Sequence, residues 1–581
     1  MEKKILNRLM LSLSAVIIFS AVSNSEIVML SRNLTEKHLP SSAVSMKSGT
    51  KDGMLACWYD EIDNGSLYVQ KIGINGIHYW NIGGKQVDIN LGQTYSEDES
   101  FPEIFSDGEG GAALIYRKKI NEKEEIYFVR ILADGRLLSK PVCLSSEFAG
   151  YNYSHKSVKC DDNTIITAWE NFNDGDFDIQ AQKTNMNGKK LWNKGRELTV
   201  CGEPSDQRRP TILCSRDHVY FSWLDSRTNP EEYGLSLYAN KIDLNGSYTD
   251  FKDKGKLIFL YDPTDGAGET GSEKMFFYNH NMVLSERNSF ITAIEKHKSD
   301  IDSYVKIIKV DESLNVTWNY DIDDQSFQSM PLITSDGKYG AFVFWVDGRN
   351  ENSSVYGIRI SPAGDVITGS KKGTDLSWTS EKNSFMKELP SPSLISGTAM
   401  DMNTLVLPWT SREEGRLLHT TIDLRLNPVF KQSNEVINEN SSGGRYASVV
   451  FVDGNIFTVF KIDDNIYADI NSYQNLPDEM KTGEINSYCF PNPFNPSSKI
   501  KYHVPLSAHV KIRVFNQAGQ MVTELVNDDM EAGNYETEFN ASRYASGFSF
   551  PSGAYFYRIE IVPNEHFGKV MTETGRMLLI K

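Results

Sequence analysis

Six cysteines in 581 residues, with no Cys-X-X-Cys pair, are too few for a disulfide framework and wrongly spaced for a structural zinc site. Catalytic signatures are missing as well. The ten histidines form no H-E-x-x-H, and there is no G-x-S-x-G elbow and no P-loop. Positive charge is the minority sign, with 60 Lys and Arg against 77 Asp and Glu and a net charge of −17, so a duplex or an anionic bilayer would be repelled. After the first 25 residues no apolar run approaches the roughly 20 residues a helical span needs. The expectation is a protein with no metal, no cofactor, no nucleic-acid partner and no transmembrane segment once its leader is removed.

The leader reads MEKKILNRLMLSLSAVIIFSAVSNS. Lys3, Lys4 and Arg8 precede an apolar stretch from Leu9 to Val22, and Ala21 and Ser23 have the spacing a signal peptidase accepts. The pattern predicts a secretory signal over residues 1–23, with an uncleaved anchor as the alternative.

What the chain has in quantity is glycine and short alternating runs. A unit of four strands returns from Ala43 onward. Its second strand ends in Trp and an acidic turn, as in MLACWYDEIDNG, TIITAWENFNDGDFDI, VYFSWLDSRTNPEE, AFVFWVDGRNENS and TLVLPWTSREEG, which puts Trp58, Trp169, Trp223, Trp345 and Trp409 at one structural position. Ile115-Tyr116, Ile294-Glu295 and Phe460-Lys461 fill that position in degenerate copies. The third strand ends at Gly76, Gly135, Gly188, Gly246 and Gly364, and Trp80 and Trp192 follow four residues after a glycine, with Trp318 after a weaker turn. Four-stranded units repeating every ~50 residues predict a β-propeller, because a lone twisted sheet buries neither face and must stack on neighbours about an axis. A strand-ending indole between blades would bury about 150–250 Å², or roughly 4–6 kcal/mol before entropy.

Eight blades are expected, with seven as the alternative, because the unit over about 250–325 is stretched. The last unit, from Arg445, has three strands, and Ile27–Leu34 would supply its fourth and close the ring. Equivalence by repeat puts Cys160 a blade away from Cys214, and Cys143 from Cys201, which predicts buried free thiols rather than bonds. Asp60, Asp225 and Asp347 are expected to cap their turns and pair with Arg227 or Arg349. Calcium ligation by Asp60, Asp63 and Asn64, or by Asn173, Asp174, Asp176 and Asp178, is the alternative, without EF-hand spacing. His155, His218, His280 and His297 read as surface or turn residues, and Arg208-Arg209 as a solvated loop.

These units resemble a propeller-like family common in exported proteins of Bacteroidota and related bacteria, with Trp223-Leu224-Asp225-Ser226-Arg227 and Trp345-Val346-Asp347-Gly348-Arg349 as the best copies. No catalytic role comes with that resemblance. SDGKYGAFVFW at Ser335 has the letters of a sialidase turn without its spacing.

Residues 24–473 are therefore expected to form the propeller, 474–487 a polar linker, and 488–581 a small immunoglobulin-like β-sandwich, all-β throughout. The final segment carries Pro491-Asn492-Pro493-Phe494-Asn495-Pro496, then Ala518-Gly519-Gln520, Ala532-Gly533-Asn534-Tyr535, Ser552-Gly553-Ala554-Tyr555 and a terminal MLLIK ending at Lys581. In that order these motifs resemble the type A C-terminal sorting domain of the type IX (Por) secretion system. The resemblance implies a sorting signal at Pro491, Asn492, Pro493, Phe494, Asn495, Pro496, Gly519, Gly533, Tyr535, Gly553, Tyr555 and Lys581, and the secretion machinery as partner. It also implies a route through the periplasm to the cell surface or the medium, with the tail cleaved on the way in many members. The insertion FSFPSGAYF lengthens one loop relative to the family. The propeller is expected to be a non-enzymatic binding or adhesion scaffold for a glycan or a surface protein, with a polysaccharide hydrolase or lyase as the alternative.

Overall fold

The computed structural model describes residues 25 onward except short segments, the longer stretches 93–100, 261–279, 377–398, 428–433, 438–446, 473–486, 543–549 and 564–570, and the last residue. The leader, the linker up to residue 486 and the stretched part of the fifth repeat therefore lie outside the described residues, and Ser487 already belongs to a strand. Two compact units result. The larger ends at Gln474, and Asn475–Lys581 make up the bulk of the smaller.

Among the described residues eight antiparallel sheets of four strands build the larger unit, seven of them from strands consecutive in sequence and one with a fifth short strand at Thr374–Asp375. They are numbered here as blades 1 to 8, over residues 37–89, 103–143, 151–201, 207–259, 280–321, 328–375, 399–437 and 447–472. Blade 8 takes its fourth strand from the start of the chain. Ser25–Met29 pairs antiparallel with Asn465–Ser472, Ile27 facing Asp469, so the first and last strands close one sheet. Closure leaves the array no free end blade to pair with another chain.

First strands of neighbouring blades pack on one another around the axis, Tyr151–Lys159 against Gln207–Cys214 among them. The second-strand indoles lie between blades. Trp58 joins the core formed with Val450, Phe457 and Ala468 of blade 8, and Trp169 joins Ile115, Phe128 and Leu144 of blade 2. Trp223 and Trp345 likewise sit with the preceding blade. Trp409 lies on the strand Thr404–Ser411, and its side chain is outside the described residues.

A second set of tryptophans latches blades in pairs. Trp80, Trp192 and Trp318 donate from Nε1 to the carbonyls of Ala133, Leu244 and Pro362 in the next blade, at 3.0–3.1 Å. The turn glycines Gly135, Gly246 and Gly364 are there because an added Cβ would strike those indole rings within 2.7–3.1 Å. A cation on the third strand, five residues before its own blade's turn at Gly188, Leu314 or Gly364, completes the pattern by reaching the next blade. Lys183 reaches Asp162 at 2.8 Å and the Leu244 carbonyl at 3.1 Å, Lys309 reaches the Pro362 carbonyl at 2.7 Å, and Arg359 pairs with Asp336 and reaches the Leu424 carbonyl at 3.1 Å. Asp336, in the turn with sialidase letters, also accepts the Lys338 and Gly340 amides at 2.8 Å, so its role is to hold a hairpin.

One expectation is overturned here. Cys160 and Cys214 form a disulfide, with Cα atoms 5.7 Å apart. Both stand at the ends of first strands, where blades converge on the axis, so equivalent residues one blade apart come within bonding range. Cys143 and Cys201 are equivalent too, but on fourth strands at the rim, and they are free.

The smaller unit stacks a three-stranded sheet, Ser487–Phe490, Ser497–Val504 and Gly533–Asn540, on a four-stranded one. The latter runs Met521–Met530, Ala508–Phe515, Gly553–Pro563, Met571–Leu579. Strict alternation along AHVKIRVF puts Val510, Ile512 and Val514 inside with Ile500, Phe539, Tyr557 and Met577.

Candidate functional site

Second strands turn into third strands at one end of the ring, and the acidic turns there are occupied by the protein itself. Asp225 accepts the Trp223 indole at 2.8 Å, and both the amide and Nε of Arg227, at 3.0 and 2.9 Å. Arg227 then lies over the Tyr238 ring, 4.3 Å from its centre. Asp347 repeats the arrangement with Trp345 at 2.8 Å and with Arg349, which lies 4.1 Å from the Tyr356 ring centre. Burial alone would raise the Asp347 carboxyl, but Arg349 and the indole outweigh it and hold it below the ordinary aspartate value. Asp60 accepts the Ile62 amide at 3.0 Å and sits 3.6 Å from Lys37, both buried.

Two glutamates next to the second-strand position act across the blade boundary. Glu170 accepts Arg208 Nε at 2.8 Å and the Arg209 amide at 2.5 Å, and Glu295 accepts the Met330 amide at 2.9 Å. Arg209 and Met330 have φ of 55° and 53°, and the strand register slips beside each. Each carboxylate therefore holds a bulge in the first strand of the next blade. Burial pushes the Glu170 carboxyl up, against the pull of Arg208. Arg208-Arg209 is thus part of a strand and not a loop, Arg208 ion-paired with Glu170 and Arg209 exposed but bonded to it through its amide.

At the same end, blade 3 presents aromatic rings. Tyr151 is 42% exposed and pairs across the sheet with Phe172. Phe177 stands 4.8 Å from Phe172 and 5.8 Å from Tyr153 between ring centres, and the Arg208 guanidinium covers it at 3.8 Å. The hairpin beside them carries Asp174, Asp176 and Asp178. Burial, then the neighbouring Asp176 and Asp174, push the Asp178 carboxyl up to about 6. Asp176 accepts the Ser205 amide at 3.2 Å. Rings with one guanidinium and several carboxylates can stack on an apolar ligand face and hydrogen-bond its rim.

Among the described residues no group of three or more His, Cys, Asp or Glu could hold a metal ion. His155 and His280 depart from expectation. Both are buried on first strands, which lie inside the ring, and not at the surface. Burial lowers the His280 pKa to about 4 and drives His155 down too, helped by Arg117 and Lys156.

In the smaller unit the proline-rich motif fastens the end of the chain. The Asn492 side chain donates to the Arg576 carbonyl at 2.9 Å and accepts the Leu578 amide at 2.8 Å. Phe494, buried, donates its amide to the Leu578 carbonyl at 2.9 Å and accepts the Ile580 amide at 3.0 Å. The Pro496 carbonyl accepts the Ala541 amide at 2.8 Å. Gly519 takes a φ of 76° in a turn where Asn516 accepts the Ala518 and Gln520 amides at 3.0 Å. Gly533 and Tyr535 share one strand, Tyr535 stacked on Tyr502, whereas Gly553 and Tyr555 open another. Tyr555 donates to the Pro551 carbonyl at 3.0 Å. Asn495 lies exposed between Phe494 and Pro496, and Pro491, Pro493 and Lys581 lie outside the described residues. Sequence reasoning missed Gly575, where a Cβ would meet the Tyr557 ring at 2.1 Å. A glycine inside an alternating strand was the available signal.

Fold and tail together define an exported β-propeller protein. Residues 488–573 match the family model described as the secretion system C-terminal sorting domain. The chain carries a type IX sorting domain that interacts with that secretion machinery and directs the protein to secretion or to the outer-membrane surface. No helix among the described residues is long and apolar enough to cross a membrane. No curated protein matches the chain. Solved structures similar to it include puromycin hydrolase, at 10% identity over 68% of this chain and 57% of that one, TM-score 0.41. The β-propeller domain of the Trilobed protease from Pyrococcus furiosus aligns at 11% identity over 67% and 100%, TM-score 0.36. The polysaccharide lyase Uly1 aligns at 9% over 78% and 94%, TM-score 0.39.

Proposed function

We propose that the propeller is a binding or adhesion scaffold, delivered to the cell exterior by the sorting domain, with a glycan or a surface protein as its ligand. The observation that carries this reading is the Tyr151, Phe172, Phe177 and Arg208 cluster at the end of the ring. Exposed Tyr151 beside the half-buried Phe172 and Phe177 would suit stacking on a ligand, while Asp225, Asp347, Glu170 and Glu295 are committed to indoles, guanidinium groups and backbone amides. Screening the mature protein on a glycan array tests it. Binding is expected, and Tyr151→Ala with Phe177→Ala should abolish it. Retention of full binding in that double variant removes the cluster from the reading.

A second reading, a polysaccharide hydrolase or lyase, is favoured by one feature. Asp178, held at about 6 beside Asp174 and Asp176, could exchange a proton near neutral pH. Release of reducing ends or unsaturated products from a polysaccharide panel, lost in Asp178→Asn, would establish it over the scaffold reading.

A further inference from the structure

The four-stranded sheet of the sorting domain has one buried and one solvent face. Most of the solvent face is charged, with Lys511, Arg558 and an Arg513–Glu524 pair at 2.8 Å. One end of it is different. Phe515 faces Met521 on one side and Phe556 on the other, and Ala554, next along that strand face, is opposite Leu578. Met521, Phe515 and Phe556 thus form an apolar row across three strands, about 10 Å at the usual strand spacing, which meets Arg576 on the fourth, and Leu578 and Ile580 extend the apolar patch on that strand beyond Arg576. Met521 is 60%, Ile580 50% and Leu578 40% exposed. Asn492 and Phe494 bind the amides of Leu578 and Ile580, which holds the last strand in the register that turns those two side chains outward.

We propose that this patch, Met521, Phe515, Phe556, Leu578 and Ile580, is the surface through which the type IX secretion machinery grips the chain, by docking an apolar protein face of its own. The inference rests on the sorting role of residues 488–573. An apolar patch with exposed Met521, Leu578 and Ile580 around the half-buried Phe515 and Phe556, on an otherwise charged sheet, marks an interaction surface. The domain's shown role is to be handled by the secretion machinery, and the patch includes the terminal strand that the proline-rich motif clamps. Charge on the remainder of the face would keep the domain soluble until it is engaged.

The test compares export of the full-length chain in a bacterium with type IX secretion. Met521→Glu with Leu578→Glu should leave the protein in the periplasm, with the exported fraction falling about tenfold or more, as expected for charging the centre of an interface. Lys511→Glu, on the same face outside the patch, should be exported like the parent. Limited proteolysis of the retained protein should give the parent's sorting-domain fragment. If the glutamate pair is degraded instead, Met521→Gln with Leu578→Thr replaces it and should show the same retention. Deleting residues 488–581 separates the two claims. Retention of the deletion with normal export of the double variant overturns the surface and leaves the sorting role standing, whereas normal export of the deletion overturns both. Normal export of a double variant that also turns a parent dimer into a monomer assigns the patch to self-association and overturns the proposal.

Discussion

Trp192 donates its indole N–H to the carbonyl of Leu244, one blade further on, at 3.1 Å, and the same contact recurs from blade 1 to 2 and from blade 5 to 6. The hydrogen bond and the packing against Gly246 are separable. Trp192→Phe keeps most of the buried surface and should cost about 1–2 kcal/mol, while Trp192→Ala should cost about 3–5 kcal/mol.

Gly246→Ala should be as harmful from the other side of the latch. Its φ is +86° and its Cβ would lie 2.7 Å from the Trp192 ring, so conformational and packing costs add to about 2–4 kcal/mol. Gly175→Ala, also at positive φ but with nothing within 4 Å, should cost only the conformational part. Urea denaturation followed by tryptophan fluorescence would rank the variants.

How much of this was legible depends on what a residue's position in a repeat determines. The indoles at Trp58, Trp169, Trp223 and Trp345, the capping by Asp225 and Asp347, and the closure by the first strand follow from pattern, because alternation and turn chemistry act locally. The Cys160–Cys214 bond does not, since the distance between equivalent residues depends on radius, which no spacing encodes. Nor do the roles of Glu170 and Glu295, because their partners stand in the following blade, outside the repeat unit that the pattern describes. In the tail the motifs were readable as a family signature, whereas the pairing of Asn492 with the last strand was not.

The disulfide itself is testable. It closes a loop across 54 residues of sequence, so Cys160→Ser or Cys214→Ser should lower stability by about 2–4 kcal/mol. In unreduced, urea-unfolded protein, maleimide labelling should count four thiols, those of Cys57, Cys143, Cys201 and Cys489.

Asp469, on the third strand of the closing blade, is buried, neither carboxylate oxygen has a hydrogen bond among the described residues, and burial pushes its pKa up to about 7. Between the unfolded value of about 4 and that folded value, the native state holds a proton the unfolded chain has released. Its contribution is therefore fully present below about pH 4 and is lost as pH rises through 7. Asp469→Asn should be more stable than the parent at pH 8, by up to about 4 kcal/mol, with the difference vanishing near pH 4. Melting temperatures of both proteins across that range would check the sign.

Asn492 tests whether the proline-rich motif is structural glue. Its two hydrogen bonds to the Arg576 carbonyl and the Leu578 amide bridge more than eighty residues, and Phe494 adds two backbone bonds beside them. Asn492→Ala should remove about 1–3 kcal/mol from the docking of the last strand. The loss should be local, because the core residues Phe494, Met577 and Leu579 remain buried without it. Hydrogen exchange would then show faster exchange at Leu578 and Ile580, with protection along Ala508–Phe515 unchanged. Equal exchange at Leu578 in both proteins would mean that the Phe494 contacts alone hold the strand.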